Sequence, residues 1–168
     1  MSRSIAILSA AAGTLLLGAC SAGDSSLSAS QSATIAAPAA DVWEAIGNFD
    51  DLDSWHPAVA DTEITTGANN EPGAQRLLTL GGDGGTVTEE LQSYDAEGMS
   101  YTYTIIDGVL PVSDYRATIT VMPAGDNSSN VSWSGTFNAA GADDATATET
   151  INGVYKAGLD NLRGMFDE

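Results

Sequence analysis

An α+β fold is predicted for this 168-residue chain: a seven-stranded antiparallel sheet whose apolar face is closed by one long C-terminal helix. Three observations predict it. Runs of residues with period-two alternation follow one another through the second half of the chain, the pattern of strands with one buried face. After them, Ile151, Val154, Tyr155, Gly158, Leu159, Leu162 and Phe166 recur at spacings of three and four, the stripe of an amphipathic helix. Near the start, Pro38 with Asp41 opens a short helix carrying Val42, Trp43 and Ile46, which Gly47 stops.

In chain order, Thr34 to Ala37 is a short first strand and the helix from Pro38 follows it. A second short helix lies around Asp50 to Trp55 and ends at His56-Pro57. Glu63 to Thr66 is a weak strand. In the stronger ones, Leu78 and Leu80 share a face, as do Val87, Glu89 and Leu91, and then Tyr101, Tyr103 and Ile105. Tyr115, Ala117, Ile119 and Val121 form the next inward row, and Val131, Trp133, Gly135 and Phe137 the last. The opposite faces carry mostly Thr, Ser, Glu and Arg, so the sheet has one wet side and one apolar side that the terminal helix covers. Asp143 or Asp144 is the expected N-cap of that helix.

The N-terminus reads differently. Arg3 followed by the apolar run Ile5 to Leu17, too short to span a bilayer, has the layout of a secretory signal. Leu17-Gly18-Ala19-Cys20 closes it and resembles the bacterial lipobox, which implies cleavage before Cys20 and acylation of the cysteine. Such a modification supplies at least two acyl chains, enough to hold a domain at a membrane surface without crossing it. Residues 1–19 are therefore expected to be the signal, and 20–33 the lipidated cysteine with a serine- and alanine-rich tether. The domain is expected to occupy 34–168, in the cell envelope. An ordinary secretory peptide with an incidental cysteine is the plainer alternative. The net charge of −18 repels phosphate backbones and sets nucleic acid aside as a partner.

The order strand, two short helices, six strands, long helix is that of the helix-grip fold. The chain resembles the START-like polyketide cyclase/dehydrase, or SRPBCC, superfamily through Val42-Trp43, Phe49-Asp50, Trp55-His56-Pro57, and Gly73 with Arg76. The resemblance continues in Thr88-Glu89-Glu90-Leu91, Tyr101-Thr102-Tyr103, Leu110-Pro111-Val112 with Tyr115-Arg116, Trp133 to Phe137, and Gly158-Leu159. It implies a curved sheet wrapped around the helix, enclosing a cavity for a hydrophobic small molecule. Expected wall residues from the sheet are Leu78, Leu80, Val87, Glu89, Tyr103 and Ile105, with Tyr115 and Trp133. The corner and the apolar loop would add Trp55, His56, Leu110 and Pro111, and the helix Val154, Gly158 and Leu159.

Two loops are expected to frame the mouth. Gly81-Gly82-Asp83-Gly84-Gly85 changes its backbone angles at little steric cost, and it is either a gate or a plain hairpin connection. Asp107 to Asp114 exposes Val109, Leu110, Pro111 and Val112 as an apolar tip. His56, the single histidine, and Glu89, inward by alternation, are the candidates for proton chemistry. A buried carboxylate needs a partner, for which His56, Tyr103, Tyr115 or water could serve. Equally, Trp55-His56-Pro57 reads as a structural corner with the imidazole bonded to backbone, and the two tyrosines as wall packing.

Other chemistries lack their residues. No elbow surrounds a serine, no zinc-ligand set or dinucleotide glycine fingerprint occurs, and no cofactor is expected. Asp50, Asp51 and Asp53 lack EF-hand spacing, and no metal site is assigned. The expected function is an envelope module that binds or carries a lipid, isoprenoid, aromatic or polyketide-like molecule. A cyclase or dehydratase using His56 and Glu89 is the alternative, and an interaction protein with a filled interior a third.

Overall fold

The computed structural model describes residues 26–167. Cys20 and the proposed signal lie outside the described residues. Strand β1 (Leu27–Ile35) is followed by helix α1 (Ala39–Ile46) and a single 3-10 turn at Leu52–Ser54. Strands β2 (Val59–Thr66), β3 (Gln75–Leu80), β4 (Thr86–Asp95), β5 (Ser100–Gly108), β6 (Val112–Gly125) and β7 (Ser128–Ala139) then form a meander, and α2 (Asp144–Phe166) closes the chain. All seven strands belong to one sheet in the order β1-β7-β6-β5-β4-β3-β2, each pair antiparallel. No described helix is long and apolar enough to cross a membrane.

The expected architecture is present, with three corrections. The first strand begins at Leu27, so residues 27–33 belong to the domain and not to a tether. Ala29, Ala33 and Ile35 point inward and are buried, while Ser28, Ser30 and Thr34 face out. Small inward residues disguise the strand as low-complexity sequence, yet they let α2 pack close against β1, and β7 supplies the hydrogen-bonded ladder. The second helix shrinks to the turn at Leu52–Ser54, since Asp50, Asp51 and Asp53 favour local turn geometry over helix continuation. The weak strand lengthens to eight residues because β3 pairs with it from Val59 onward.

Helix α2, about 35 Å long at 1.5 Å per residue, lies on the apolar face. Asp143 is its N-cap, accepting a hydrogen bond from the Thr146 amide at 2.8 Å. Ala147, Ile151, Tyr155, Gly158, Leu159 and Leu162 are its buried stripe. Gly158 allows the closest approach: a Cβ there would stand 2.7 Å from His56 Cδ2 and 3.0 Å from Trp133 Cζ3. Gly135 on β7 makes room in the same way for the Tyr155 hydroxyl, which a Cβ would meet at 2.5 Å.

Because neighbouring strands alternate in direction, the β3–β4 loop, the β5–β6 hairpin, the end of β7 and the start of β1 share one end of the sheet. Leu27 stands opposite Phe137, and Ala139, two residues on, opposite Val112.

Candidate functional site

Between α2 and the sheet lies a cavity of about 90 Å³. Leu78, Leu80, Val87 and Ile105 line it from β3, β4 and β5, and Leu110 from the hairpin. Val154 and Ile151 line it from α2, and Leu52, Ala58 and Val59 from the turn and the start of β2. Its polar members are His56, Glu89, Tyr103, Tyr115 and Trp133. Four residues expected on the wall are elsewhere. Trp55 is buried behind it, tilted against Trp133 at 5.6 Å, and Gly158 and Leu159 belong to the helix packing. Pro111 stays in the hairpin, where its carbonyl accepts from the Ala140 amide at 3.0 Å. The wall residues that alternation overlooked are Leu52, Ala58 and Val59, from short or irregular segments, and Ile151, from the buried stripe of α2.

Each polar group is engaged by the protein. The His56 Nε2–H donates to the Val154 carbonyl at 3.0 Å, and Nδ1 accepts from the Ala58 amide at 3.2 Å. A ring nitrogen that accepts an amide proton carries none itself, so the geometry requires the neutral imidazole protonated on Nε2. Burial favours the same state by pushing the imidazolium pKa down. His56 is thus a corner held by backbone on both sides, and Asn161 Nδ2 donates to the Trp55 carbonyl to fix that corner on α2.

Glu89 has a partner the alternation argument did not offer. Arg76, fully buried, donates from Nε to Glu89 Oε2 at 2.8 Å, with Nη2 2.6 Å from the same oxygen. Its Nη1 donates to the Phe49 carbonyl at 2.6 Å, and the guanidinium lies over the Phe49 ring, 4.1 Å from the centroid. The general expectation that arginine faces the wet side therefore fails at Arg76. The signal was available, since position 76 has the parity of Leu78 and Leu80. Burial raises the Glu89 carboxyl above its ordinary range, opposed by the pull of Arg76.

A chain of hydroxyls crosses the wall. Trp133 Nε1–H donates to the Tyr103 hydroxyl at 3.0 Å, Tyr103 and Tyr115 hydroxyls are 3.3 Å apart, and Tyr115 and Tyr155 hydroxyls 2.6 Å apart. Trp133 also stacks on Tyr155 with centroids 4.6 Å apart. Burial holds the Tyr103 and Tyr115 phenols well above their usual pKa, so both remain protonated. Tyr155 appeared in the sequence only as a helix-stripe residue; its contact with Gly135 is invisible without the fold.

The two loops meet at the mouth. Gly82 and Gly85 have φ of +65° and +84°, backbone that glycine adopts freely. Gly85 lies against Val109, whose Cγ1 would be 2.7 Å from a Cβ at that position. The Val109 amide donates to the Thr86 carbonyl at 3.2 Å, and Gly81 donates to the Ala58 carbonyl at 2.9 Å. Of the expected apolar tip only Val109 is exposed, while Leu110, Pro111 and Val112 are half-buried because the hairpin folds back over the cavity.

A family model described as polyketide cyclase/dehydrase and lipid transport matches residues 26–166. The chain belongs to that family. Solved structures agree. This cyclase/dehydrase-family chain is 32% identical to the protein XoxI from Bacillus cereus, with a TM-score of 0.78 over 84% of this chain and 96% of that one. It is 29% identical to a protein from Thermobifida fusca, TM-score 0.75, covering 83% and 92%. The Zhui aromatase/cyclase from Streptomyces sp. R1128 shares the fold at 17% identity and TM-score 0.69, over 84% and 94%. No functionally curated protein matches the chain significantly. Family and fold support a hydrophobic small-molecule ligand or a cyclase-type role.

Proposed function

We propose that this family member is an envelope-anchored protein that binds or carries a hydrophobic small molecule in the cavity between α2 and the sheet. The observation that supports this reading best is the character of the wall: chiefly apolar side chains, with polar groups held by partners inside the protein. Cyclase or dehydratase chemistry through His56 and Glu89 needs a group free to move a proton. Both His56 nitrogens serve backbone and Glu89 Oε2 serves Arg76, which favours binding. A cavity of 90 Å³ is smaller than the usual several hundred Å³ of a ligand site, so uptake of a larger molecule requires the loops around Gly85 and Val109 to part.

Native mass spectrometry of the protein purified from its own host tests this. The expected result is a non-covalent apolar compound released by solvent and chemically unaltered on incubation. Turnover of an offered polyketone that collapses in His56→Ala and Glu89→Gln, each shown to be folded under the assay conditions, would replace the carrier with an enzyme. For the anchor, the expected N-terminal peptide begins at Cys20 and carries acyl mass; an unmodified Cys20 refutes it.

A further inference from the structure

The hydroxyl chain leaves one hydrogen unused, and from this we infer that the ligand is an apolar molecule bearing one neutral hydrogen-bond acceptor, such as a ketone or quinone oxygen, that docks against Tyr103 and Tyr115. The inference rests on the ligand-binding reading above and narrows its chemistry.

Four donors enter the chain: the Trp133 indole N–H and three phenolic O–H groups. The indole can only donate, so Tyr103 accepts from it. The two hydroxyl contacts then consume two of the three phenolic hydrogens, whichever way each bond runs. The third belongs to Tyr155 if the chain runs outward and to Tyr103 if it runs inward. It belongs to Tyr115 if both neighbours donate to that oxygen. Among the described residues no other acceptor takes it: Glu89 Oε2 is engaged by Arg76, and no hydrogen bond joins that carboxylate to the three hydroxyls. Nor is His56 a free donor, since its Nε2–H serves Val154.

Of the two hydroxyl links, the weaker one faces the cavity. The Tyr115–Tyr155 contact at 2.6 Å is short and firm, whereas 3.3 Å between Tyr103 and Tyr115 exceeds the usual O–H···O range. The weak link thus joins the two hydroxyl-bearing residues that line the cavity, while Tyr155 sits behind them. Hydroxyls rotate to suit a partner, and a buried donor without one is costly. An acceptor on the ligand completes the count. A purely hydrocarbon ligand leaves it open, and an anion meets the Glu89 carboxylate in an apolar site.

The test uses residues 21–168, which contain every strand and helix of the described residues, with indane and 1-indanone, probes of the same skeleton that differ by one carbonyl. After correction for partition between water and hydrocarbon, 1-indanone is expected to bind roughly tenfold more tightly, the scale of one hydrogen bond. Its bound carbonyl stretch should fall below the frequency in cyclohexane, a readout that needs no variant. Tyr103→Phe combined with Tyr115→Phe, with its circular dichroism spectrum checked against the wild type, should abolish the preference and the frequency shift. If indane binds but 1-indanone gains nothing and its stretch is unshifted, the inference is wrong and the cavity reading stands. If neither probe binds, both fall.

Discussion

Arg76 and Glu89 form a buried ion pair whose members depend on each other. Removing one charge leaves the other uncompensated in a low-dielectric interior, which costs about 3–5 kcal/mol. Glu89→Gln is therefore expected to lower the urea midpoint sharply, and Arg76→Met together with Glu89→Leu should recover much of that loss. A double variant no more stable than Glu89→Gln would contradict this account. His56 makes a second, pH-dependent contribution. Its folded pKa is lowered by burial, so the unfolded chain takes up a proton first as pH falls below about 6.5. The stability it contributes is complete above that value and lost as pH drops through the folded pKa. Urea midpoints at pH 7.5 and 5.5 should differ more in the wild type than in His56→Gln, where this linkage is gone.

At the scale of elements, α2 contains glycines with opposite roles. Alanine is usually favoured over glycine inside a helix by about 1 kcal/mol. At Gly153 and Gly164 a Cβ meets nothing within 4 Å, so Gly153→Ala and Gly164→Ala should raise Tm. At Gly158 the Cβ would press on His56, Trp133 and Trp55, none of which can yield without moving the corner, so Gly158→Ala should lower it. Equal Tm changes at all three positions would argue against close packing of α2 on that corner.

The same elements show what the residues disclose unaided. The α2 stripe and the five long alternating runs were legible because large apolar side chains recur at one period. Strand β1 was half hidden because its inward residues are alanines whose burial depends on α2, some 120 positions away. Most of the cavity wall followed from strand parity. The inward place of Arg76 follows from its parity with Leu78, but its pairing with Glu89, like the link from Tyr155 to Tyr115, depends on a register that no local pattern carries.

For the molecule as a whole, the net charge of −18 opposes attraction to anionic lipid, so charge does not hold it at a membrane and the proposed acyl chains would. Where such chains attach relative to the sheet then matters. The start of β1 and the hairpin bearing Val109 share one end, separated by two inter-strand spacings, about 10 Å. Six residues stand between Cys20 and Leu27, a leash of at most about 25 Å even when fully extended. A chain moored at Cys20 would therefore be held mouth-down, its opening turned to the leaflet, so that cargo could pass between bilayer and cavity without crossing bulk water. A fluorophore on Val109→Cys, in the acylated protein on phosphatidylcholine vesicles, should be quenched by brominated lipid more strongly than one on Asp126→Cys at the far end of the sheet. Equal quenching would mean that the short leash imposes no such orientation.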